Sequence, residues 1–251
     1  TDNDGWRDGR EVNVGTNPDA NGSFPVRISG WLEYDGPLDT EVVAWGDSNK
    51  GGNSTAVASQ LTDNVVMVFS NPHAFAALKT DGSLVTWGHA SYGGNDSVVA
   101  SQLTSEVARV FATDYSFAAL KYDGSLVTWG GTAGTSTSVA SQIQSDVVHV
   151  FSTRNAFAAL KANGSLVTWG SGGNGGDSSS VAAELTGGVV EVFSTEEAFA
   201  ALKDNGSVVT WGPGNRGGDS SSVASQLTGA VVKVFSNDYA FAALKTDGSV
   251  V

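Results

Sequence analysis

One phrase governs what this chain can fold into. AFAALK-x-[DN]-GS-[LV]-V-TWG recurs with its Phe at Phe75, Phe117, Phe157, Phe199 and Phe241, at intervals of 42, 40, 42 and 42 residues. Its Trp recurs at Trp87, Trp129, Trp169 and Trp211, and Trp45 in TEVVAWG stands 42 residues before Trp87. The remainder of each unit is a Ser-rich loop, then VASQL, then V-V-x-V-F-S, whose last Phe is Phe69, Phe111, Phe151, Phe193 or Phe235. A self-similar period of this length is one supersecondary unit that buries its apolar face against its neighbours.

Each unit reads as four short strands. Residues 65–70 are rich in β-branched side chains, and 74–79 form the second strand. Thr80-Asp81-Gly82 is a tight-turn signal that folds 83–87 back on the second strand. VASQL at 57–61 is an outer strand or a short turn. No stretch sustains helical periodicity, so helix content is expected to be small. Repeats of about 40–45 residues with four strands each define β-propeller blades. Ala74 and Ala76 alternate with Phe75, which leaves one face of the second strand bare for close blade contact, and Trp87 supplies a rigid contact at the blade junction.

The phrases ALKTDGSLVTWG, ALKYDGSLVTWG and ALKANGSLVTWG resemble the repeats of the regulator-of-chromosome-condensation family, of a bacterial variety. The resemblance covers residues 40–251. It implies a propeller, usually seven-bladed, that binds other proteins; relatives include an exchange factor for a small GTPase and secreted β-lactamase inhibitors. The family's G-x-x-H before the second strand is absent here, with only His73 near that place, and its GQLG turn is replaced by GGN or GGD plus serines. The expected fold is therefore all-β: a propeller of five to seven four-stranded blades at 42–251. A linker or degenerate first blade occupies 21–41, with strand formers at 26–29 and 31–34, behind a short irregular leader at 1–20. Five sets of outer, first and second strands accompany six third strands, the last stopping at Val251.

The leader reads TDNDGWRDGRE at 1–11. With Asp2 at loop position 3 of the calcium pattern D-x-[DN]-x-[DN]-G-x5-E, Asp4 takes position 5 and Gly5 the turn. Trp6 then gives the carbonyl ligand, Asp8 position 9 and Glu11 the bidentate position 12; position 1 falls just before Thr1. A hard cation needs six to eight oxygens, which alternate residues of a tight loop supply. The continuation EVNVGTNP resembles thrombospondin type-3-like calcium-binding repeats of secreted bacterial proteins. Calcium is the expected cofactor, against the alternative of a solvated acidic linker.

Composition narrows the function. The formal charge is −13, with 26 acidic residues against 13 Lys plus Arg, which excludes the cationic footprint that nucleic acid or anionic lipid requires. Apolar residues at 40% supply a core, so general disorder is excluded. Cysteine is absent, which removes disulfides, thiol catalysis and thiolate metal sites. No apolar run reaches the roughly 18–20 residues needed to span a bilayer.

His149 shares a strand slot with Met67, Arg109, Glu191 and Lys233, and so is expected to face water. His73 and His89 fall at different loop positions and form no recurrent metal pair, and the abundant serines repeat generically, so no enzyme is expected. The Gly-rich turns lack the helix and Lys of a phosphate cradle and serve as blade connections; their Asp177 and Asp219 could alternatively ligate calcium. Asn53 and Asn95 stand in glycosylation sequons, against the simpler reading of polar turns.

The loop after the first strand and the loop after Trp-Gly emerge on one face, and there the copies differ most. This marks Lys50, His73, Tyr92, Tyr115, Asn155, Glu197, Arg216 and Tyr239 as candidate partner-binding residues, against the alternative of drift in tolerant loops. The expected function is a non-catalytic, extracellular or bacterial cell-surface structural or adhesive repeat protein. Its expected partners are other copies of itself, joined into filaments by strand addition, or another surface protein. The alternatives are a soluble protein-binding propeller, acting as an inhibitor or exchange-factor-like regulator, and a carbohydrate-binding or catalytic propeller using the top face.

Overall fold

The structure, a computed structural model, describes residues 40–251. The calcium motif (Asp2, Asp4, Trp6, Asp8, Glu11) and all but the last two residues of the segment 21–41 lie outside the described residues.

Five units follow one another. The first holds β1 (Val65–Ser70), β2 (Ala74–Lys79) and β3 (Leu84–Gly88), and the second β4 (Val107–Ala112), β5 (Ser116–Lys121) and β6 (Leu126–Gly130). The third holds β7 (Val147–Ser152), β8 (Ala156–Lys161) and β9 (Leu166–Gly170), and the fourth β10 (Val189–Ser194), β11 (Phe199–Lys203) and β12 (Val208–Trp211). The fifth holds β13 (Val231–Ser236) and β14 (Phe241–Lys245). Each unit is an antiparallel meander in sequence order. The hairpin between second and third strands closes as its sequence dictates: Gly82 donates to the Lys79 carbonyl at 2.9 Å from φ +76, and the Asp81 carboxylate accepts the Ser83 amide at 2.9 Å. Side-chain and backbone hydrogen bonds from Ser83 hold the Asp81 carboxyl below its ordinary pKa.

The first four blades have three strands, not four, and the fifth has two. VASQL forms a 3-10 turn, as at Thr55–Gln60 and Ser221–Gln226. In four of the five copies an Asn or Asp side chain ahead of it accepts an amide at the start of the turn, which favours the turn over a strand. Asn53 Oδ1 accepts the Thr55 amide, and Asp219 Oδ1 the Ser221 amide, both at 2.9 Å. The turn still covers the third strand's outer edge. Leu103, 1% exposed, accepts the Leu84 amide at 2.9 Å through its carbonyl, and Leu227 does the same for Val208. An edge capped by one bond and a buried Leu offers no long row of free amides.

The expected six third strands resolve into four. Residues 41–46 join no ladder among the described residues, although Val42 donates to the Leu61 carbonyl. In the fifth unit only a bridge between Leu244 and Val250 is present.

Four of the five apolar cores among the described residues lie between successive units, and the fifth, with Leu61, Val65, Ala77, Val85 and Trp87, belongs to the first unit. One cluster joins Ala74, Ala76 and Leu78 of the first unit to Leu103, Val107, Val110, Phe117 and Trp129 of the second. The bare Ala face lets the next blade close on it, as the sequence suggests. The four tryptophans are equivalent and buried, at 5%, 5%, 2% and 2% exposure for Trp87, Trp129, Trp169 and Trp211. Each indole stacks on the Phe of its own second strand, 5.2–5.3 Å between centroids. Each also donates its N–H to a carbonyl of the preceding loop: Gly51, Gly93, Ala133 and Gly175, at 2.8–3.0 Å.

A left-handed residue precedes every first strand: Asn64, Glu106, Asp146, Gly188 and Ala230, with φ between 58° and 75°. Gly188 suits it best, Asn64 and Asp146 tolerate it, and Glu106 and Ala230 are the least suited. A Cβ in this region costs roughly 1–2 kcal/mol, partly offset by the greater freedom of an unfolded glycine. Ala230→Gly is therefore expected to raise stability by about 0.5–1 kcal/mol, read as a higher urea midpoint; a lower midpoint would contradict this account.

His149 departs from expectation. It is half-buried on β7, with ring centroids 5.3 Å from Phe111 and 4.6 Å from Phe151. Burial first, and the Arg109 charge second, push its pKa down to about 4. As pH falls from 6.5 to 4, the unfolded chain takes up a proton here that the folded chain refuses, so stability declines through that window. The loss is about 2–3 kcal/mol. His149→Leu should flatten this acid limb, and urea midpoints at pH 7 and pH 4.5 will show it; parallel declines in both proteins would disprove the assignment.

Candidate functional site

Two loops per unit build one face. The first joins the first and second strands and is pinned by its opening residue. Asn71 Oδ1 accepts the His73 and Ala74 amides at 2.8 Å, and Asn71 Nδ2 donates to the Tyr92 carbonyl of the unit's other loop at 2.8 Å. Thr153 and Thr195 make the same tie through Oγ1 to the carbonyls of Asn174 and Arg216. Consecutive first loops are also laced together by their backbones: Asp114 donates to Arg154, Arg154 to Glu196 and Glu196 to Asp238, at 2.8–3.1 Å. The residue that should begin this series is Pro72, which has no amide hydrogen.

At one end of the face the side chains are aromatic. His73 stacks on Tyr115 at 5.3 Å and 17° and lies 4.7 Å from Tyr92, which is itself 5.0 Å from Tyr115; His89 stacks on Tyr92 at 4.4 Å. Burial lowers the His73 pKa, aided by the charges of Lys50 and His89 and opposed by Asp114. At the other end the side chains are ionic. Arg154 pairs with Asp114 at 3.1 Å and with Glu196 at 3.7 Å, and Arg216 with Glu196 at 3.2 Å and with Glu197 at 3.3 Å. The Arg216 guanidinium lies 4.4 Å over the Tyr239 ring, which is 58% exposed.

The structure thus brings together His73, Tyr92 and Tyr115 in one cluster and Glu197, Arg216 and Tyr239 in another. Asn155 lines a cleft with Tyr92 and Tyr115. Lys50 stands in the exposed turn Ser48–Lys50 and acts on His73 through its charge. Sequence reasoning missed His89, Asp114, Arg154 and Glu196, each of which occupies a slot whose character changes from copy to copy. Asn53 and Asn95 are exposed, and their carbonyl oxygens cap the following turns. The Asp177 and Asp219 carboxylates do the same for Ser179 and Ser221, whose hydrogen bonds lower their pKa values. Among the described residues no group of three or more His, Asp or Glu is placed to hold a metal ion.

No protein-family model matches the chain, and no curated protein matches it. Among solved structures the chain is similar to Prp20p from Saccharomyces cerevisiae, described with its binding to Gsp1p and histones: 15% identity, TM-score 0.49, covering 85% of this chain and 64% of that one. It is similar also to yeast RCC1 (Prp20) bound to Kap60, at 14% identity and TM-score 0.49, covering 85% of this chain and 63% of that one. A third is the CRINKLY WD40 ectodomain of the Arabidopsis thaliana receptor kinase ACR4, at 15% identity and TM-score 0.46, covering 80% of this chain and 73% of that one. The chain spans just under two thirds of the length of the two yeast structures. Likeness at this level speaks to neither activity nor partner.

Proposed function

We propose that this chain is a non-catalytic adhesive repeat module of an extracellular or bacterial cell surface that recognises another surface protein through its loop face. The observation that carries this reading is the convergence of three tyrosines (Tyr92, Tyr115, Tyr239) and two arginines (Arg154, Arg216) on the one face where the repeat varies. Rigid aromatic and guanidinium groups are the usual anchors of protein interfaces. The same face would serve a soluble inhibitor or regulator. The leader residues Asp2, Asp4, Trp6, Asp8 and Glu11 would hold calcium in this reading. Replacing Tyr92 with a photo-crosslinking phenylalanine analogue tests the face, with Tyr122, 45% exposed in the β5–β6 hairpin, as control. Adducts with surface protein from Tyr92 alone are expected; equal labelling from both positions would sink the reading.

A second reading, self-assembly by strand addition, has its own support. Residues 41–46 carry a third strand's sequence outside any described ladder, with Trp45 84% and Val43 66% exposed. Phe235 at 48% and Val250 at 67% stand exposed in the fifth unit. Strand addition would unite such edges. Concentration-dependent light scattering, abolished by Trp45→Lys, is the expected sign; scattering that does not change with concentration would remove this route.

A further inference from the structure

The one irregular interval in the repeat, 40 residues instead of 42, has a structural counterpart. The loop after Trp129 is two residues shorter than its equivalents, so Gly131 stands where other copies carry Asp47, His89, Ser171 and Pro213. A cleft of about 480 Å3 opens there, lined by Ser91, Tyr92, Tyr115, Gly131, Asn155 and Ser171. Its lining offers two tyrosine rings, one amide and two serine hydroxyls, and no charged side chain lines it. Tyr115 is packed between the rings of His73 and Tyr92, 5.3 and 5.0 Å between centroids, so one wall is held in advance. Beside Gly131 stands Ser116, where the other copies have Ala74, Ala156, Ala198 and Ala240. Its Oγ is fully buried, has no hydrogen-bond partner, and lies 3.6 Å from where a Cβ on Gly131 would be.

From these observations we infer that the cleft is a subsite for a neutral pyranose of a glycan. A pyranose presents an apolar C–H face that matches a tyrosine ring and a rim of hydroxyls that both donate and accept. Asn155, Ser91 and Ser171 also both donate and accept, so each can satisfy such a rim. The volume suits a small ligand held by aromatic walls and a few placed polar groups. The net charge of −13 selects against anionic sugars. An extended peptide is a poorer match, because the lining groups are side chains and Gly131 rather than a strand edge with a row of free amides. The inference rests on the loop face being the recognition surface and names the chemistry of what it would recognise: a partner's glycan.

Saturation-transfer NMR on the full chain tests it, with methyl α-glucopyranoside, methyl β-galactopyranoside and methyl N-acetyl-β-glucosaminide as probes. Transfer from protein aromatic protons to the ring protons of at least one probe is expected. Tyr92→Ala and Asn155→Ala should each weaken that binding about tenfold, while Tyr122→Ala leaves it unchanged. Circular dichroism of each variant should match the parent, and Asn155→Ala, which removes no ring from the cluster, serves if Tyr92→Ala misfolds. Absence of transfer from all three probes, or equal transfer in Asn155→Ala and the parent, overturns the proposal. Photo-adducts at Tyr92 without any saccharide transfer would overturn it while leaving the protein-recognition reading standing.

Discussion

Gly94→Ala is expected to cost the chain at least about 3 kcal/mol, enough to abolish its cooperative urea transition or move it to far lower denaturant. The reason lies in the paired glycines that follow four of the five Trp-Gly dipeptides, the exception being Ala133-Gly134 after Trp129-Gly130. The first sits in the left-handed region beneath the next blade's phenylalanine: Gly93 has φ +101, and a Cβ there would lie 2.5 Å from Phe117 Cδ2. The second lies against the backbone of its own loop, so that a Cβ on Gly94 would be 2.4 Å from the Gly88 carbonyl carbon. No rotamer change relieves an overlap with main chain. Gly173→Ala is the matched control, since the nearest atom to its new Cβ is Ser171 Oγ at 3.9 Å, and its change should stay within about 0.5 kcal/mol. Similar midpoints for the two variants would refute this account of the Gly-Gly pair.

Trp129→Ala should cost about 3–5 kcal/mol. The side chain is 5% exposed, stacks on Phe117 and donates to the Gly93 carbonyl at 3.0 Å. Trp129→Phe keeps most of the apolar volume but leaves that carbonyl unpaired, a loss of about 1–3 kcal/mol. The ordering Ala worse than Phe separates packing from hydrogen bonding. Trp45→Ala, in the same sequence motif but with the ring 84% exposed, should change stability by no more than about 0.5 kcal/mol. An equal effect at Trp45 and Trp129 would show that the junction does not carry the stability assigned to it. Because the cores around Trp129 and Trp169 are each shared by two successive units, damage at one junction also weakens the blades on either side of it.

The strand–hairpin–strand order was legible because its signals are local: β-branched runs, Asp-Gly-Ser turns and a Trp at fixed spacing. VASQL was harder. Its Val, Ala and Leu resemble an outer strand, and the preceding Asn or Asp side chain, by capping its own backbone, favours a 3-10 turn. His149 was misjudged because its slot accepts charged residues elsewhere. Those residues set a charged tip over a phenylalanine, as the Arg109 guanidinium does 5.5 Å over Phe111 and the Lys233 ammonium 5.6 Å over Phe235. A histidine is too short to do so and is enclosed. The candidate face was legible as variability, but its pairing scheme was not. Asp114, Arg154 and Glu196 are drawn together from three units, and nothing in one repeat forecasts the charge that the next one presents. The 40-residue interval was visible from the start; that it opens a cleft depends on Gly131 lying between neighbouring loops.

Pro72 gives the array a mechanical polarity. The amide rungs from Asp114 through Arg154 and Glu196 to Asp238 rivet the second to fifth units along the loop face. Between the first and second units the corresponding rivet is missing, and the stack of His73 on Tyr115 stands in its place. Stacked rings slide over one another more readily than a directed N–H···O bond shears. Under tension along the chain, the first seam should therefore yield before the others. Single-molecule extension should show one early, low-force step of about one unit's length, shifted to higher force by Pro72→Ala, which restores the rung. A first rupture at any later seam would place the weak point elsewhere. The loop face would then be two plates with a compliant joint, and that joint lies beneath the tyrosines best placed to feel a bound partner pull.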